Sequence, residues 1–188
     1  MKGKIFCIGL NKMGTTSLHS AFLKLGIRSV HFSVDGTRLK QTIHNNYVKK
    51  FPILKGVDGY EAYSDWDLKD RFQVIKELDK QFPGSKFVLQ CRDLKPWLKS
   101  REKHIKRNQE KCLADPDDCN RWLNIDKPKW VETYKTHYPA VRKYFKGRDD
   151  LLEFNLFEGD GWDKLCRFLK RPVPNVSFPL ENTAESNQ

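Results

Sequence analysis

Residues 6–18, FCIGLNKMGTTSL, decide how the rest of the chain is read. The stretch opens inside Lys4-Ile5-Phe6-Cys7-Ile8, a short apolar run of the kind that fills a buried parallel strand, and Gly9 ends it. Thr16 to Leu25 then sets Leu18, Ala21, Phe22 and Leu25 at helical spacing until Gly26 stops the helix. Between strand and helix lies a loop suited to an anion. Its glycines let the backbone come close, and successive N–H groups with a helix N-terminus form a cradle for negative charge. Gly9 and Gly14 match the spacing of the nucleotide phosphate loop G-x-x-x-x-G-K-[ST], but Thr15 stands where that loop carries its lysine. The lysine inside it is Lys12, placed where a flexible ammonium can fold back over a bound group. Thr15, Thr16 and Ser17 add hydroxyl donors without adding charge.

A loop of the ATP-using kind works with Mg²⁺ and needs an acid at a strand end. Here the strand-like run Ser85 to Cys91 is followed by Arg92, which suits a second anionic feature of a nucleotide, such as a separate phosphate. A helix starting near Pro96, a favoured first-turn residue, places Ser100 about one turn in. Its hydroxyl can then join Arg92 at the same phosphate. Such a site relies on Lys, Arg and backbone donors. With no His-x₃-His or Cys-x₂-Cys pair in the chain, no metal is expected.

Further along, Ile27 to Phe32 has the length of a second strand, and Leu39, Ile43 and Tyr47 suggest a helix ending before Pro52. Phe72, Ile75 and Leu78 mark another that closes before Pro83-Gly84. Leu113 to Pro128 is polar and turn-rich, an excursion expected near the rim of a site. Trp130 to Phe145 returns to helical spacing with Pro139 expected to interrupt it. Leu151 to Phe157 reads as a late strand and Trp162 to Leu169 as a last helix. Strands alternating with helices predict a three-layer α/β fold with a mostly parallel central sheet and a P-loop-like nucleotide-binding architecture.

The chain of 188 residues can bury a real core as one domain, residues 1–182, with 183–188 as a loose tail. Hydrophobic residues at 38% argue against wholesale disorder. No apolar run approaches the roughly 20 residues that cross a bilayer, and no small-residue cleavage pattern follows the N-terminus. A cytoplasmic protein without an integral membrane segment is therefore expected. Cys7, Cys91 and Cys166 sit in apolar segments and read as reduced thiols, while Cys112 and Cys119 flank the polar stretch CLADPDDC and are the pair that a local loop could close. Spacing alone leaves that pairing open. The net charge of +11 attracts anions of any kind. No zinc-finger spacing or RNA-binding sheet signature accompanies the basic run Lys95 to Lys111, so nucleic acid is not the expected partner.

At the residues N-K-M-G-T-T-S, Asn11 to Ser17, and CRDLKPWLKS, Cys91 to Ser100, the chain resembles the sulfotransferase family that uses 3′-phosphoadenosine 5′-phosphosulfate. DGYEAYSDW (Asp58 to Trp66), FPGSKFVLQCRD (Phe82 to Asp93) and EGDGWDKLCRFLKRPVPNVSFP (Glu158 to Pro179) resemble a small-enzyme branch of it. The resemblance runs from about Lys4 to Asn182. It implies that Asn11 to Ser17 hold the 5′-phosphosulfate, Met13 included, with Lys12 on the transferring sulfonate and Gly14, Thr15, Thr16 and Ser17 around the 5′-phosphate. Arg92 and Ser100 would bind the 3′-phosphate. The implied product is adenosine 3′,5′-bisphosphate, and the implied acceptor is a small molecule or glycan. The family's histidine or glutamate base has no counterpart at the corresponding stretch, where Asp65 stands nearest. Nor is there a glycine-rich RKG-type segment near the C-terminus, where this chain has GDGW at Gly159 to Trp162.

Sulfonate transfer to a hydroxyl or amine needs near in-line oxygens, positive charge at the leaving oxygen and a base for the acceptor proton. Lys12 suits the second task. Asp65, Asp58 and His31 are the candidates for the third, each also open to an ordinary turn, cap or polar-cavity duty. A P-loop nucleotide or small-molecule kinase, and a non-catalytic anion-binding module, are the alternative readings. The sequence does not name the acceptor or the oligomeric state.

Overall fold

In the computed structural model, residues 3–115, 119 and 122–181 are described. The expected loose tail, 183–188, and part of the 113–128 excursion lie outside them. Five parallel strands form the central sheet in the order β2-β5-β1-β6-β7: β1 Ile5–Cys7, β2 Ser29–His31, β5 Ala62–Ser64, β6 Lys86–Gln90 and β7 Leu151–Phe154. A small antiparallel pair, β3 Ser33–Val34 and β4 Thr37–Arg38, stands apart. The helices are α1 Thr15–Lys24, α2 Leu39–Val48, α3 Arg71–Gln81, α4 Leu94–Ala114, α5 Lys127–Tyr144 and α6 Trp162–Leu169.

The pleat explains the three layers. Phe6 of β1 and Ile8 just beyond its end, with Phe87 and Leu89 of β6, join Val74, Ile75, Leu78, Trp97 and Val141 from α3, α4 and α5. Cys7 and Val88 point the other way, to Leu18, Ala21 and Phe22 of α1 and Leu165 of α6. Alternate side chains of a strand leave on opposite faces, so one central strand serves both halves of the core.

Several expectations change. Helix α4 begins at Leu94 with Asp93 at its N-cap, so Ser100 lies nearly two turns in rather than one. Helix α5 passes through Pro139 without interruption. Pro139 is exposed, as is Lys135, the residue four earlier whose carbonyl a proline leaves without its helical partner. His137, Tyr138 and Val141 on the buried face hold the turn together. The run expected as one strand to Phe157 ends at Phe154 and continues as a 3-10 turn, Leu156–Glu158. Cys112 and Cys119 are joined by a disulfide, while Cys7, Cys91 and Cys166 are free thiols.

Candidate active site

Because all five strands are parallel, their C-terminal ends gather along one edge, where α/β folds place ligands. That edge presents, from β2 to β7, His31, Asp65, the loop Gly9–Gly14, Arg92 and Asn155. The loop is shaped by its glycines. A Cβ on Gly9 would stand 2.5 Å from the Gln90 carbonyl oxygen, because the Gly9 N–H donates to Gln90 Oε1 at 2.7 Å. Gly14 has φ 81°, and a Cβ there would come 3.1 Å from Leu156 Cδ2. It opens α1, which carries no acidic residue in its first turn, so its positive end faces the loop uncompensated.

Lys12 sits at the apex in the left-handed region, φ 64°, an uncommon conformation for a lysine. Burial lowers its pKa first, and neighbouring Arg107 and Arg92 add repulsion that Asp65 offsets in part. Behind the loop, Trp97 Nε1 donates to the Asn11 carbonyl at 2.9 Å, and Arg101 donates to Asn11 Oδ1 at 2.6 Å. The Asn11 amide donates on to Asp67 Oδ2 at 2.7 Å, and Asp67 pairs with Arg71. Arg101 lies 5.1, 5.3 and 4.7 Å from the ring centres of Trp97, Trp122 and Trp130, and burial lowers its pKa to about 10. Asn11 is therefore a brace. Met13 packs in the core, leaving its backbone alone for a ligand, and the fully buried Ser17 hydroxyl accepts from Glu181 N at 2.9 Å. These engagements narrow the expected side-chain contacts to Lys12, Thr15 and Thr16.

On the β2–β5 side, His31 Nε2 lies 3.2 Å from Thr15 Oγ1 and 3.7 Å from Asp65 Oδ2. Burial lowers the His31 pKa, Asp65 raises it and Lys12 lowers it again. The His19 ring centre is 5.5 Å from that of His31, and His19 Nδ1 is 2.9 Å from Ser29 Oγ. Asp65 has φ 58°, and Phe32, just after His31, has φ 68°. Thus Lys12, Phe32 and Asp65 all take left-handed backbone along this one edge, the kind of local strain that clusters at functional sites.

Asp58 does not join them. It precedes β5, and its carbonyl accepts from Lys4 Nζ at 2.8 Å beside the start of β1, at the opposite end of the sheet. The structure therefore does not bring Asp58 together with Lys12, Asp65 and His31.

On the other flank, the Arg92 guanidinium lies 3.8 Å from the Phe157 ring centre. One of its amines donates to the Lys12 carbonyl at 3.4 Å, and its buried Nε has no hydrogen-bond partner. Tyr134 fixes the Arg92 backbone by donating to its carbonyl at 2.9 Å. Ser100 sits half-buried on α4, one turn beyond Trp97. Among the described residues, no three His, Cys, Asp or Glu side chains gather as a metal centre, and no helix is long and apolar enough to cross a membrane.

Sequence reasoning missed Arg101, Lys40 and Phe157, each drawn in by tertiary contact. For Arg101, the helical spacing from Trp97 on the face turned toward the loop was the available signal.

A family model described as sulfotransferase domain matches residues 4–127 and 118–187. Among curated proteins, Ava biosynthesis cluster protein M of Aspergillus versicolor is 24% identical over 222 residues, covering 98% of this chain and 82% of that protein. A solved sulfotransferase from Alicyclobacillus acidocaldarius superposes with TM-score 0.57 at 15% identity, covering 98% of this chain and 88% of that one. That structural likeness bears on the fold. The family model, spanning nearly the whole chain, bears on ancestry: the chain belongs to the sulfotransferase family.

Proposed function

We propose that this protein transfers sulfonate from 3′-phosphoadenosine 5′-phosphosulfate to an acceptor hydroxyl or amine, in line and without a metal. The observation that carries the reading is Lys12, held left-handed at the loop apex with Asp65 acting on it from one side and Arg92 from the other. The chain's own groups fit such a donor. The Gly9–Gly14 loop is a cradle that side chains would fill, and Arg92 brings a buried, unpartnered Nε to the flank where a remote phosphate would lie.

Bound there, the donor would supply an activated sulfonate on a phosphate leaving group. The loop N–H groups, Thr15, Thr16 and the N-terminus of α1 would hold the 5′ end, and Arg92 with Ser100 the 3′-phosphate. Lys12 would place positive charge where it grows on the leaving oxygen. Asp65 would accept the acceptor's proton at a carboxylate oxygen, with His31 Nε2 beside it to stabilise or share that proton. His31 also touches Thr15, so one imidazole links the proton-accepting side to the donor loop. Thr15 in the position of the ATPase lysine, and Arg92 in that of the strand-end acid, favour this reading over a kinase.

Incubation with radiolabelled sulfonate donor and pooled phenols, alcohols, amines and glycans tests it. Label should appear in an acceptor with the parent protein, and Lys12→Ala should slow the transfer by at least about 10²-fold. Label transfer that is indifferent to Lys12, or none at all, would remove the proposal.

A further inference from the structure

The flank opposite Arg92 is enclosed by residues to which sulfonate transfer gives no task. Leu39 N donates to the Phe32 carbonyl at 2.7 Å, tying the first turn of α2 to the residue after His31. The next residue, Lys40, has its ammonium 6.0 Å from the Trp122 ring centre. Trp122 in turn lies 5.3 Å from the Arg101 guanidinium, and Arg101 is bonded to Asn11 in the loop. These contacts run as a rim from the end of β2 to the donor loop. Beside it, Asp65 and His31 keep side-chain exposures of 21% and 20%, open to an incoming molecule.

Trp122 is fastened in place. Its carbonyl accepts from Asn108 at 3.0 Å, the Leu123 carbonyl accepts from Gln109 at 2.8 Å, and Cys119 is disulfide-bonded to Cys112 of α4. Three separate links to one helix make it a built part of the site.

The rim is also positively charged. Lys40 makes no ion pair within 4.0 Å among the described residues, and burial together with nearby Arg38 lowers its pKa, opposed by Asp65. No acidic residue stands in the first turn of α2, so the helix adds its own positive end. Lys12 likewise feels the positive charge of Arg107. At the part-buried Lys40 and Lys12 the repulsion of cationic neighbours is relieved when an anion joins them. The donor's phosphates would be met at the loop and at Arg92, which leaves Lys40 for something else.

Building on the transferase reading above, we propose that Lys40 and Trp122 form the acceptor subsite. It selects an acceptor carrying an oxyanion beside the hydroxyl or amine that receives the sulfonate. Lys40 takes no part in bond making; it holds the remote anion and so orients the acceptor toward Asp65.

The test uses matched pairs at saturating donor: 4-hydroxybenzoate against 4-hydroxybenzamide, and a glucuronate-containing disaccharide against its neutral counterpart. The two pairs separate a small acid from an acidic glycan as the source of the oxyanion. The charged member of a transferring pair should have a KM lower by about tenfold. Lys40→Met should erase that difference and Lys40→Arg restore it, while calorimetric affinity for adenosine 3′,5′-bisphosphate stays within about twofold. Preference for the neutral member, or an unchanged ratio in Lys40→Met, overturns the inference and leaves the transferase reading standing. A protein that binds the bisphosphate yet transfers to neither member of any pair counts against both. Failure to bind the bisphosphate removes the donor assignment on which the inference rests.

Discussion

Replacing Asp65 by asparagine separates two ways in which the acceptor proton could leave. The Asp65 carboxylate and His31 Nε2 are 3.7 Å apart, with side-chain exposures of 21% and 20%. At an effective dielectric of about 20, their attraction when His31 is protonated is at most about 4.5 kcal/mol before solvent screening, so the size of the loss does not by itself separate the two routes and the pH profile must. If Asp65 itself takes the proton, the loss is that of a general base, at least about 10²-fold. The account predicts a loss of at least about 10²-fold in kcat, with the fold by circular dichroism and the affinity for adenosine 3′,5′-bisphosphate retained. The sign of the accompanying pH change follows from the neighbours of His31. Burial and Lys12 hold its pKa below the ordinary value of 6.5, and Asp65 is the influence that raises it. Asp65→Asn therefore drives it lower still, and any limb of the pH–rate profile due to His31 protonation moves to more acidic pH. The assay is steady-state kinetics across pH with labelled donor and whichever acceptor is found. A variant that keeps a His31 limb in its pH–rate profile, moved to more acidic pH, would make His31 the base and Asp65 its electrostatic partner. Turnover within about twofold of the parent would refute the reasoning for both residues.

Arg92→Ala should chiefly weaken bisphosphate binding, because Arg92 is assigned to a non-reacting phosphate, with kcat at saturating donor much less affected; calorimetry and kinetics on the folded variant decide. His137, buried with Nε2 donating to the Ile8 carbonyl at 2.7 Å, has its pKa lowered from 6.5 to about 3, chiefly by burial. Its folded pKa lies below the unfolded one, so its contribution is fully present above about pH 6.5 and is lost as pH falls toward 3, by about 1.4 kcal/mol per pH unit. Denaturant midpoints measured from pH 7 to 4 should show that slope in the parent and a shallower one in His137→Gln. Cys112→Ser releases one of the links that set Trp122, so acceptor KM should rise by about threefold or more while bisphosphate affinity holds; equal loss of both would mean that the link supports the whole fold.

The strand–loop–helix unit was legible because an apolar run, two spaced glycines and a helical stripe adjoin without interruption. Arg92 was legible for a similar reason: it directly follows the apolar β6. The short β5 was not, since Ala62, Tyr63 and Ser64 are all buried yet too few to show a period, and charged residues flank them. Without that strand in view, Asp58 and Asp65 read as near neighbours in one segment, whereas β5 carries them to opposite ends of the sheet. The β3–β4 pair had a turn signal in Asp35-Gly36 that went unread, its strands being two residues each. Pro139 misled because its cost depends on which face it occupies, and only packing decides that. The rim of Lys40, Trp122 and Arg101 joins α2, the segment before α5 and α4, contacts that no single window of sequence contains.

Titration calorimetry of the isolated protein with adenosine 3′,5′-bisphosphate and with AMP, each with and without a chelator, tests the central claim most directly. The two ligands differ by the 3′-phosphate assigned to Arg92 and Ser100. The account predicts that the bisphosphate binds at least about 100-fold more tightly, the range expected for a charge-assisted contact to a partly buried arginine, and that the chelator changes nothing. Equal affinities would contradict the 3′-phosphate assignment, and binding abolished by the chelator would contradict a site built from Lys12, Arg92 and backbone donors.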